Sequence, residues 1–280
     1  MPYIRNFLLA ILLFFGSHFS LASDKEFVWS VVPQFTGIAV HKTWTPLLDK
    51  LEEGTGYKFK LKIYEDVPSF EVGFLNGEPD FAYMNPYHAV MAKKAHGYMP
   101  IIRNGERLLT GILVVRSDST INDVQALNGS DIAFPPPNAF AASLYMRALL
   151  KEKEKIEFNP IWAGTHSNSY RQVLLGKADA SGGVFRTLKK ERDEVQNGLK
   201  VIYQTPSSPS HPLTVHHRVP EDLKKAVQNI ILDFWNTEHG KGVLKSILLS
   251  NPIAADYDQD YKPLEELGLE KYIIKKNNQE

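Results

Sequence analysis

Several hydrogen-bond donors follow directly on predicted β-strands of this 280-residue chain. His166 and Ser167 come after the strand predicted at residues 159–164 and open a predicted helix. Another strand is predicted to begin at Phe81, and Tyr83 and Asn85 follow shortly after that residue. Neutral N–H and O–H groups bind anions well, because hydrogen bonds to a charged acceptor are the strong class. These side chains therefore indicate a binding site for a small anion.

A third segment offers backbone donors instead of side chains. Three prolines and Asn138 precede a helix that is predicted to run through Leu150. Asn138 is the predicted N-cap of this helix. The first N–H groups of a helix have no partner within it and lie at the positive end of its dipole. We expect an anion to face the N–H groups of Ala139, Phe140 and Ala141; an ordinary capped helix is the alternative.

His166 has two interpretations that give opposite pH dependences. A histidine at a helix N-terminus can donate to an anion and titrates near neutral pH. In that case the anion favours the imidazolium, and affinity rises as pH falls through the histidine's range. An exposed histidine that contacts no ligand would leave affinity insensitive to its charge.

Two copies of one short pattern organise the chain around these donors. Residues 74–83 and 174–183 each contain the end of a predicted helix, a glycine, two residues, an aspartate and a small apolar run. Glycine after an amphipathic run ends a helix, since it adopts the left-handed conformation without penalty. The apolar run after Asp80 or Asp179 is then a short strand. Ligands of open α/β sheets bind beyond the carboxyl ends of strands, so the repeat predicts two α/β lobes with a shared cleft.

Composition excludes several classes of function. Lys plus Arg and Asp plus Glu number 32 each, so the charge gives no reason to expect nucleic acid as a partner. Cysteine is absent, which excludes disulfides and thiolate metal sites. No motif of a hydrolase, metalloprotease, cofactor or metal site appears. His216 and His217 lie on a predicted strand and should point to opposite faces, which argues against a shared metal. We expect no enzyme, no cofactor and no metal.

The first residues resemble a cleavable export signal. Arg5 precedes an apolar run from Phe7 to Phe15, and small residues at Ser20 and Ala22 match the positions that a signal peptidase recognises. The run is shorter than the roughly 20 apolar residues of a membrane-spanning helix. Residues 1–22 are therefore predicted to be a signal peptide, and the mature protein is expected in the periplasm.

Three stretches together resemble the PhnD-like phosphate, phosphite and phosphonate solute-binding proteins of ABC importers. They are Trp44-Thr45-Pro46-Leu47, residues 77–87, and Gly164-Thr165-His166-Ser167 with residues 176–180. The resemblance covers about Phe27 to Leu249 and implies a bilobal, type II periplasmic binding protein of the α/β class, with two crossover strands joining the lobes and a ligand cleft between them. Lobe 1 would comprise residues 23–108 and 210–280, and lobe 2 residues 109–209. The implied partners are a small anionic ligand and a membrane permease, and the protein is expected to be a monomer.

The resemblance also implies which residues hold the oxyanion. They are Thr36, Tyr83, Asn85, Asn138, Ala139, Phe140, Ala141, His166 and Ser167. Three departures from the family pattern concern the ligand, and one is the loop Asp66-Val67-Pro68-Ser69, where phosphonate binders often place a tyrosine. A hydroxyl cluster of the family is replaced by Asn138-Ala139-Phe140-Ala141, and residues 181–185 provide no carboxylate for a ligand amine, which disfavours an aminoalkylphosphonate. The lost hydroxyls also motivate an alternative function, a periplasmic sensor that signals to a receptor such as a sensor kinase.

Overall fold

The computed structural model describes residues 25–275 of the chain. The predicted signal peptide, residues 1–22, lies outside the described residues. Strands and helices alternate along the described part, and the strands form two separate sheets, as predicted for an α/β protein with two lobes.

Eleven strands and nine α-helices are present within residues 25–275. The strands are β1 (Glu26–Val31), β2 (Lys58–Lys62), β3 (Phe81–Tyr83), β4 (Met99–Asn104), β5 (Gly111–Arg116), β6 (Asp131–Phe134), β7 (Asn159–Trp162), β8 (Ala180–Val184), β9 (Leu199–Gln204), β10 (Pro212–Val215) and β11 (Pro252–Ala254). The helices are α1 (Gly37–Thr55), α2 (Val67–Leu75), α3 (Pro86–His96), α4 (Tyr145–Glu152), α5 (His166–Leu174), α6 (Phe185–Leu188), α7 (Asp193–Asn197), α8 (Glu221–Phe234) and α9 (Glu238–Ser246). A π-helical turn, Phe140–Leu144, leads directly into α4. Short helical turns at Tyr257–Tyr261, Lys262–Leu267 and Leu269–Tyr272 form most of the C-terminal segment.

The two sheets have different strand orders, but each contains three neighbouring parallel strands. The first sheet has the order β11-β4-β10-β3-β1-β2, and the second has the order β7-β6-β8-β5-β9. In each sheet one strand, β1 or β6, pairs in parallel with two neighbours. The carboxyl ends of these parallel strands therefore open at one edge of each sheet, where loops can form a site.

The repeated pattern has the same structural role in both lobes. Gly77 and Gly176 have φ of 71° and 66°, in the left-handed region, and end α2 and α5. The carboxylate of Asp80 accepts the N–H of Val28 at 2.8 Å, and that of Asp179 accepts the N–H of Asp131 at 3.0 Å. Each aspartate thus ties the strand that follows it, β3 or β8, to the parallel neighbour of that strand, β1 or β6. This contact fixes the sheet and leaves the ligand cleft to the loops beyond.

Two crossover segments, residues 105–110 and 205–211, connect the sheets. They pair with each other at Leu109 and Ser208, through N–H to O distances of 2.8 and 3.0 Å. The strands of the first sheet lie within residues 26–104, 212–215 and 252–254, and those of the second within residues 111–204. The exact lobe boundaries assigned from the sequence stay a prediction.

An apolar cluster joins the two lobes beside the crossovers. It contains buried side chains of α2 and α3 together with those of the segment 140–148 and the C-terminal turns. The ring of Tyr87 stacks on that of Phe140, with centroids 6.3 Å apart. A separate cluster packs α1, α8 and α9 onto the first sheet. The start of the 140–152 helix is therefore held by both lobes at once.

The prediction for the adjacent histidines His216 and His217 is wrong. The strand β10 ends at Val215, and the two rings lie 4.4 Å apart instead of pointing to opposite faces. Alternation of side chains requires extended strand backbone, and it stops where the strand stops. Within residues 25–275, no cluster of three potential metal ligands occurs, and no helix has the length and apolar character to cross a membrane.

Candidate functional site

A cavity of about 420 Å³ lies between the two sheets. Its wall is formed by the segments that follow β1, β2, β3, β6, β7 and β8, and by Leu109 and His211 of the crossovers. The strand-end loops of both lobes therefore meet here, as expected for an open α/β fold. The volume lies within the range of roughly 300–1,000 Å³ that is usual for sites of small molecules.

One end of the cavity is the start of the helical segment 140–152. Among the described residues, no acceptor receives the N–H groups of Phe140, Ala141 and Ala142. These groups lie at the positive end of the helix dipole, which favours an anion. The backbone thus provides three converging donors without any hydroxyl side chain.

Two glycines allow this helix start to lie directly on the second sheet. A Cβ atom on Gly111 of β5 would be 2.1 Å from the carbonyl oxygen of Ala141. A Cβ atom on Gly182 of β8 would be 2.1 Å from the carbonyl oxygen of Ala142. Any side chain at either position would push the helix start away from the sheet, so both positions set the depth of the cavity.

His166 and Ser167 form a second part of the wall. Thr165 caps α5 and accepts the N–H of Asn168 at 3.1 Å, so His166 is the first helical residue. The Nδ1 atom of His166 lies 3.3 Å from the hydroxyl of Thr187. The hydroxyl of Ser167 donates to the carboxylate of Glu191 and is therefore already committed within the protein.

Arg186 is a partly buried cation that shares this cavity. It forms no ion pair with a carboxylate among residues 25–275, and its protein partner is Gln34, whose Oε1 accepts at 3.5 Å. Burial, together with the charge of Arg107, lowers the pKa of the guanidinium. A desolvated charge without a counter-charge is costly, and an anion in the cavity would offset that cost.

Donors, a cation and a helix N-terminus thus converge between two α/β sheets, and residues 29–261 match the family described as the phosphonate periplasmic substrate-binding proteins of ABC transporters. The chain belongs to this family. Members of the family are binding proteins that serve transport, and they reside in the periplasm.

Individual relatives agree with this assignment. The phosphonates-binding periplasmic protein of Escherichia coli (strain K12) is 24% identical over 242 residues, which cover 81% of this chain and 71% of that protein. A solved binding protein component of an ABC phosphonate transporter from Pseudomonas aeruginosa has a TM-score of 0.75 at 18% identity and covers 87% of this chain and 85% of its own. PhnD1 from Prochlorococcus marinus, solved with methylphosphonate, has a TM-score of 0.75 at 16% identity over 88% of this chain and 97% of its own. The predicted bilobal, type II binding-protein fold is confirmed.

The cavity brings together seven of the nine residues that the sequence predicts to bind ligand. They are Thr36, Asn85, Ala139, Phe140, Ala141, His166 and Ser167. Their contact with a ligand stays a prediction, and some of these side chains already form hydrogen bonds within the protein. Thr36 and Asn85 cap helices α1 and α3, accepting the N–H groups of Ala39 and His88. The amide nitrogen of Asn85 also donates to the backbone oxygen of Asn138 at 3.2 Å.

Tyr83 lies outside the wall of the cavity. Its side chain is buried in the core of the first lobe, with its ring 5.0 Å from that of Trp44 and stacked on His211 at 5.8 Å. Burial raises its pKa to about 12. Its position behind His211 follows from strand alternation, which directs alternate side chains of β3 into the core.

Asn138 also lies outside the wall, and the prediction that it caps the helix is wrong. Ala139 precedes the first helical residue and no side chain caps the helix there. The buried amide of Asn138 instead donates to Glu71 at 2.8 Å and to the carbonyl of Ile274 at 2.9 Å, and accepts the N–H of Ile274 at 3.0 Å. Asn138 thus joins lobe 2 to α2 and to the C-terminal segment.

We therefore expect Asn138→Ala to reduce stability and leave ligand affinity nearly unchanged. The substitution removes one hydrogen-bond donor from the buried carboxylate of Glu71, whereas the backbone groups of the exposed Ile274 can bind water instead. The loss should be about 1–3 kcal/mol, the usual cost of an unsatisfied buried group. Urea unfolding measures the loss, and calorimetry well below the unfolding transition measures affinity. A loss of affinity above about tenfold with little loss of stability would return Asn138 to the binding site.

Sequence reasoning missed three residues of the cavity that carry or direct charge: Arg186, Gln34 and His211. Gln34 donates its amide to Nε2 of His211 at 2.9 Å while accepting from Arg186, so it links the two lobes. Burial, followed by the charge of Arg186, lowers the pKa of His211 well below its usual value. A signal for Arg186 was present, because it follows the strand of the second repeat at its carboxyl end.

Carboxylates do line the cavity, although residues 181–185 provide none. Glu65 and Asp66 of lobe 1 belong to its wall, so an amine-bearing ligand is not disfavoured by a lack of carboxylates. Asp66 caps α2 by accepting the N–H of Ser69 at 2.8 Å, and Glu65 is exposed. The cavity is therefore cationic on the lobe 2 side and acidic at the 65–66 loop.

Proposed function

We propose that this protein captures a small oxyanion, of the phosphonate, phosphite or phosphate type, in the cavity between its lobes and delivers it to the permease of an ABC importer. The observation that carries the proposal is the convergence of an unpaired arginine and free helix N–H groups in one cavity formed by both lobes. Such donors suit an anion because charge-assisted hydrogen bonds are the strong class.

Three groups have assigned roles in the proposal. Arg186 supplies the counter-charge, the N–H groups of Phe140 to Ala142 bind oxygen atoms of the anion, and His166 donates a further hydrogen bond. These groups belong to lobe 2, whereas Thr36 and Asn85 belong to lobe 1. An anion held by both sets of donors favours closure of the lobes, which is the usual hinge motion of binding proteins. The closed form is what a permease would recognise.

Calorimetry of the mature protein against an oxyanion panel tests the proposal. The panel contains methylphosphonate, phosphite, phosphate, sulfate and acetate at equal ionic strength. We expect one-to-one binding of at least one phosphorus oxyanion, and weaker binding of acetate, which has fewer acceptor oxygens. No binding across the whole panel would overturn the proposal.

The substitution His166→Ala tests the role of the histidine. Burial, and secondarily the charge of Arg186, lower the pKa of His166 to about 4, so the expected titration near neutral pH is wrong for the protein without an anion. A bound anion raises that pKa, and linkage then makes binding take up a proton. We expect His166→Ala to lose about tenfold to hundredfold in affinity, the equivalent of about 1.5–3 kcal/mol for a hydrogen bond to a charged group. The ratio of wild-type to variant affinity should rise as pH falls from about 6.5 towards 4.

Titration of the ligand changes the affinity of both proteins equally, so it cancels in the ratio of wild-type to variant affinity. His239→Ala is the matched control, because His239 is exposed on α9 and lies outside the cavity wall. Identical pH profiles for the wild type and His166→Ala would exclude His166 from the site.

A deletion strain distinguishes import from the alternative of signalling to a sensor kinase. If the protein delivers its ligand to a permease, deletion should abolish uptake of the oxyanion that calorimetry identifies. Unchanged uptake together with a lost transcriptional response to that oxyanion would contradict import and favour the sensing alternative.

A further inference from the structure

A second cavity, of about 460 Å³, adjoins the first one along the crossovers. The two cavities share Leu109, Val184, Arg186 and His211 as lining residues. These four residues therefore border both cavities, and Arg186 is the charged one among them. The volume of the second cavity is again that of a small-molecule site.

The second cavity is strongly cationic in a chain with no net charge. Its wall contains Arg107, Arg186, Lys190 and Lys245, and one carboxylate, Glu106. Among the described residues, only Arg107 of these four has a carboxylate within ion-pair distance, at 4.0 Å from Glu106. A cleft lined by one sign of charge concentrates counter-ions and favours a ligand of the opposite sign.

The cations also lie near enough to repel each other. The charge of Arg107 lowers the pKa of Arg186, and burial together with the charge of Arg186 lowers that of Lys190. Lys190 and Lys245 lie over the rings of Phe35 and Trp235, at 5.2 and 5.8 Å, so aromatic faces are their protein partners. A second anionic group would relieve this repulsion.

We propose that the ligand is a short, doubly anionic compound, with a phosphonate-type head in the first cavity and a second anionic group, a carboxylate or phosphoryl, in the second. The assignment of the phosphonate-type head to the first cavity rests on the proposed function, whereas the second anionic group goes beyond it. Arg186, which lines both cavities, would lie beside the linker and contact both charges.

Calorimetry of matched phosphonates tests this proposal. Propylphosphonate, 3-phosphonopropionate and ethane-1,2-bisphosphonate share two methylenes after phosphorus and end in a methyl, a carboxylate and a second phosphonate. Only the last two carry two anionic groups, and they are called dianionic for that reason. We expect both dianionic compounds to bind at least about tenfold more tightly than propylphosphonate, with a gain that shrinks at high salt because exposed charges are screened. The tighter of the two identifies the second group as carboxylate or phosphoryl.

Variants of the second cavity show which residues produce this gain in affinity. The double variant Arg107→Met/Lys245→Met should lose the advantage of the dianions and keep the affinity for propylphosphonate. Lys241→Met is the control, because Lys241 lies on α9 with Lys245, pairs with Glu238 and lines neither cavity.

The outcomes separate this proposal from the proposed function. Equal affinity for all three compounds, or a dianion advantage that survives in the double variant, would overturn the second anionic site and leave oxyanion capture standing. Absence of binding by all three compounds and by the simple oxyanions would overturn the proposed function, and the second site with it.

Discussion

Replacing Arg186 with methionine is expected to reduce oxyanion affinity by about 30-fold to several thousandfold, and to leave the stability of the protein without ligand unchanged or higher. Loss of one partner from a buried charge pair costs about 2–5 kcal/mol. The guanidinium has no carboxylate partner among residues 25–275, so its removal takes away a desolvated charge and one long hydrogen bond to Gln34. Opposite effects on binding and on stability distinguish a ligand-binding residue from a structural one.

Arg171→Met is the matched control for this prediction. Arg171 is exposed on α5, belongs to the same lobe and lies outside the cavity wall. Calorimetry measures affinity, and urea unfolding with and without the anion measures stability. A variant Arg186→Met that binds as tightly as the wild type, or that unfolds much more readily without ligand, would show that the arginine serves the fold.

The substitution Gly182→Ala is expected to destabilise the protein by about 3 kcal/mol or more. The added Cβ would lie 2.1 Å from the carbonyl oxygen of Ala142 and 2.7 Å from Cδ1 of Phe134. Overpacking of a core typically costs about 1–3 kcal/mol, and here the obstacle includes backbone that cannot rotate away. The helix start must shift off β8, so the N–H groups of Phe140 to Ala142 also lose their positions and oxyanion affinity should fall.

Gly242→Ala provides the comparison for an unhindered glycine. Gly242 lies inside α9, and a Cβ there would meet nothing within 4 Å. Alanine in a helix interior should stabilise the protein by roughly 0.5–1 kcal/mol. Urea unfolding of both variants gives the comparison. A Gly182→Ala protein as stable and as tight-binding as the wild type would mean that the helix start does not need its close contact with β8.

The repeated pattern explains why the fold could be predicted from the sequence. Gly77 and Gly176 end helices for a local reason, and the strands after Asp80 and Asp179 follow from local apolar runs. Such features are encoded within about ten residues and need no tertiary information.

The site was harder to predict because distant residues decide the roles of its side chains. Asn138 precedes a helix and is of a residue type that often caps helices. Its partners Glu71 and Ile274, however, lie 67 and 136 residues away in the sequence. His166 has the ordinary sequence context of a titrating histidine, and its lowered pKa comes from burial and from the charge of Arg186 on α6. Arg186 itself gains significance only because, within residues 25–275, no carboxylate is folded against it.

The most direct test of oxyanion capture is a crystal structure of the complex with the phosphorus oxyanion that binds most tightly. We expect the anion between the lobes, with its oxygens about 2.7–3.2 Å from the guanidinium of Arg186 and from N–H groups of Phe140 to Ala142, which is the range of N–H to oxygen hydrogen bonds. His166 should contact the same anion. An anion bound elsewhere on the protein, or in this cavity without contact to Arg186 or the helix start, would contradict the account.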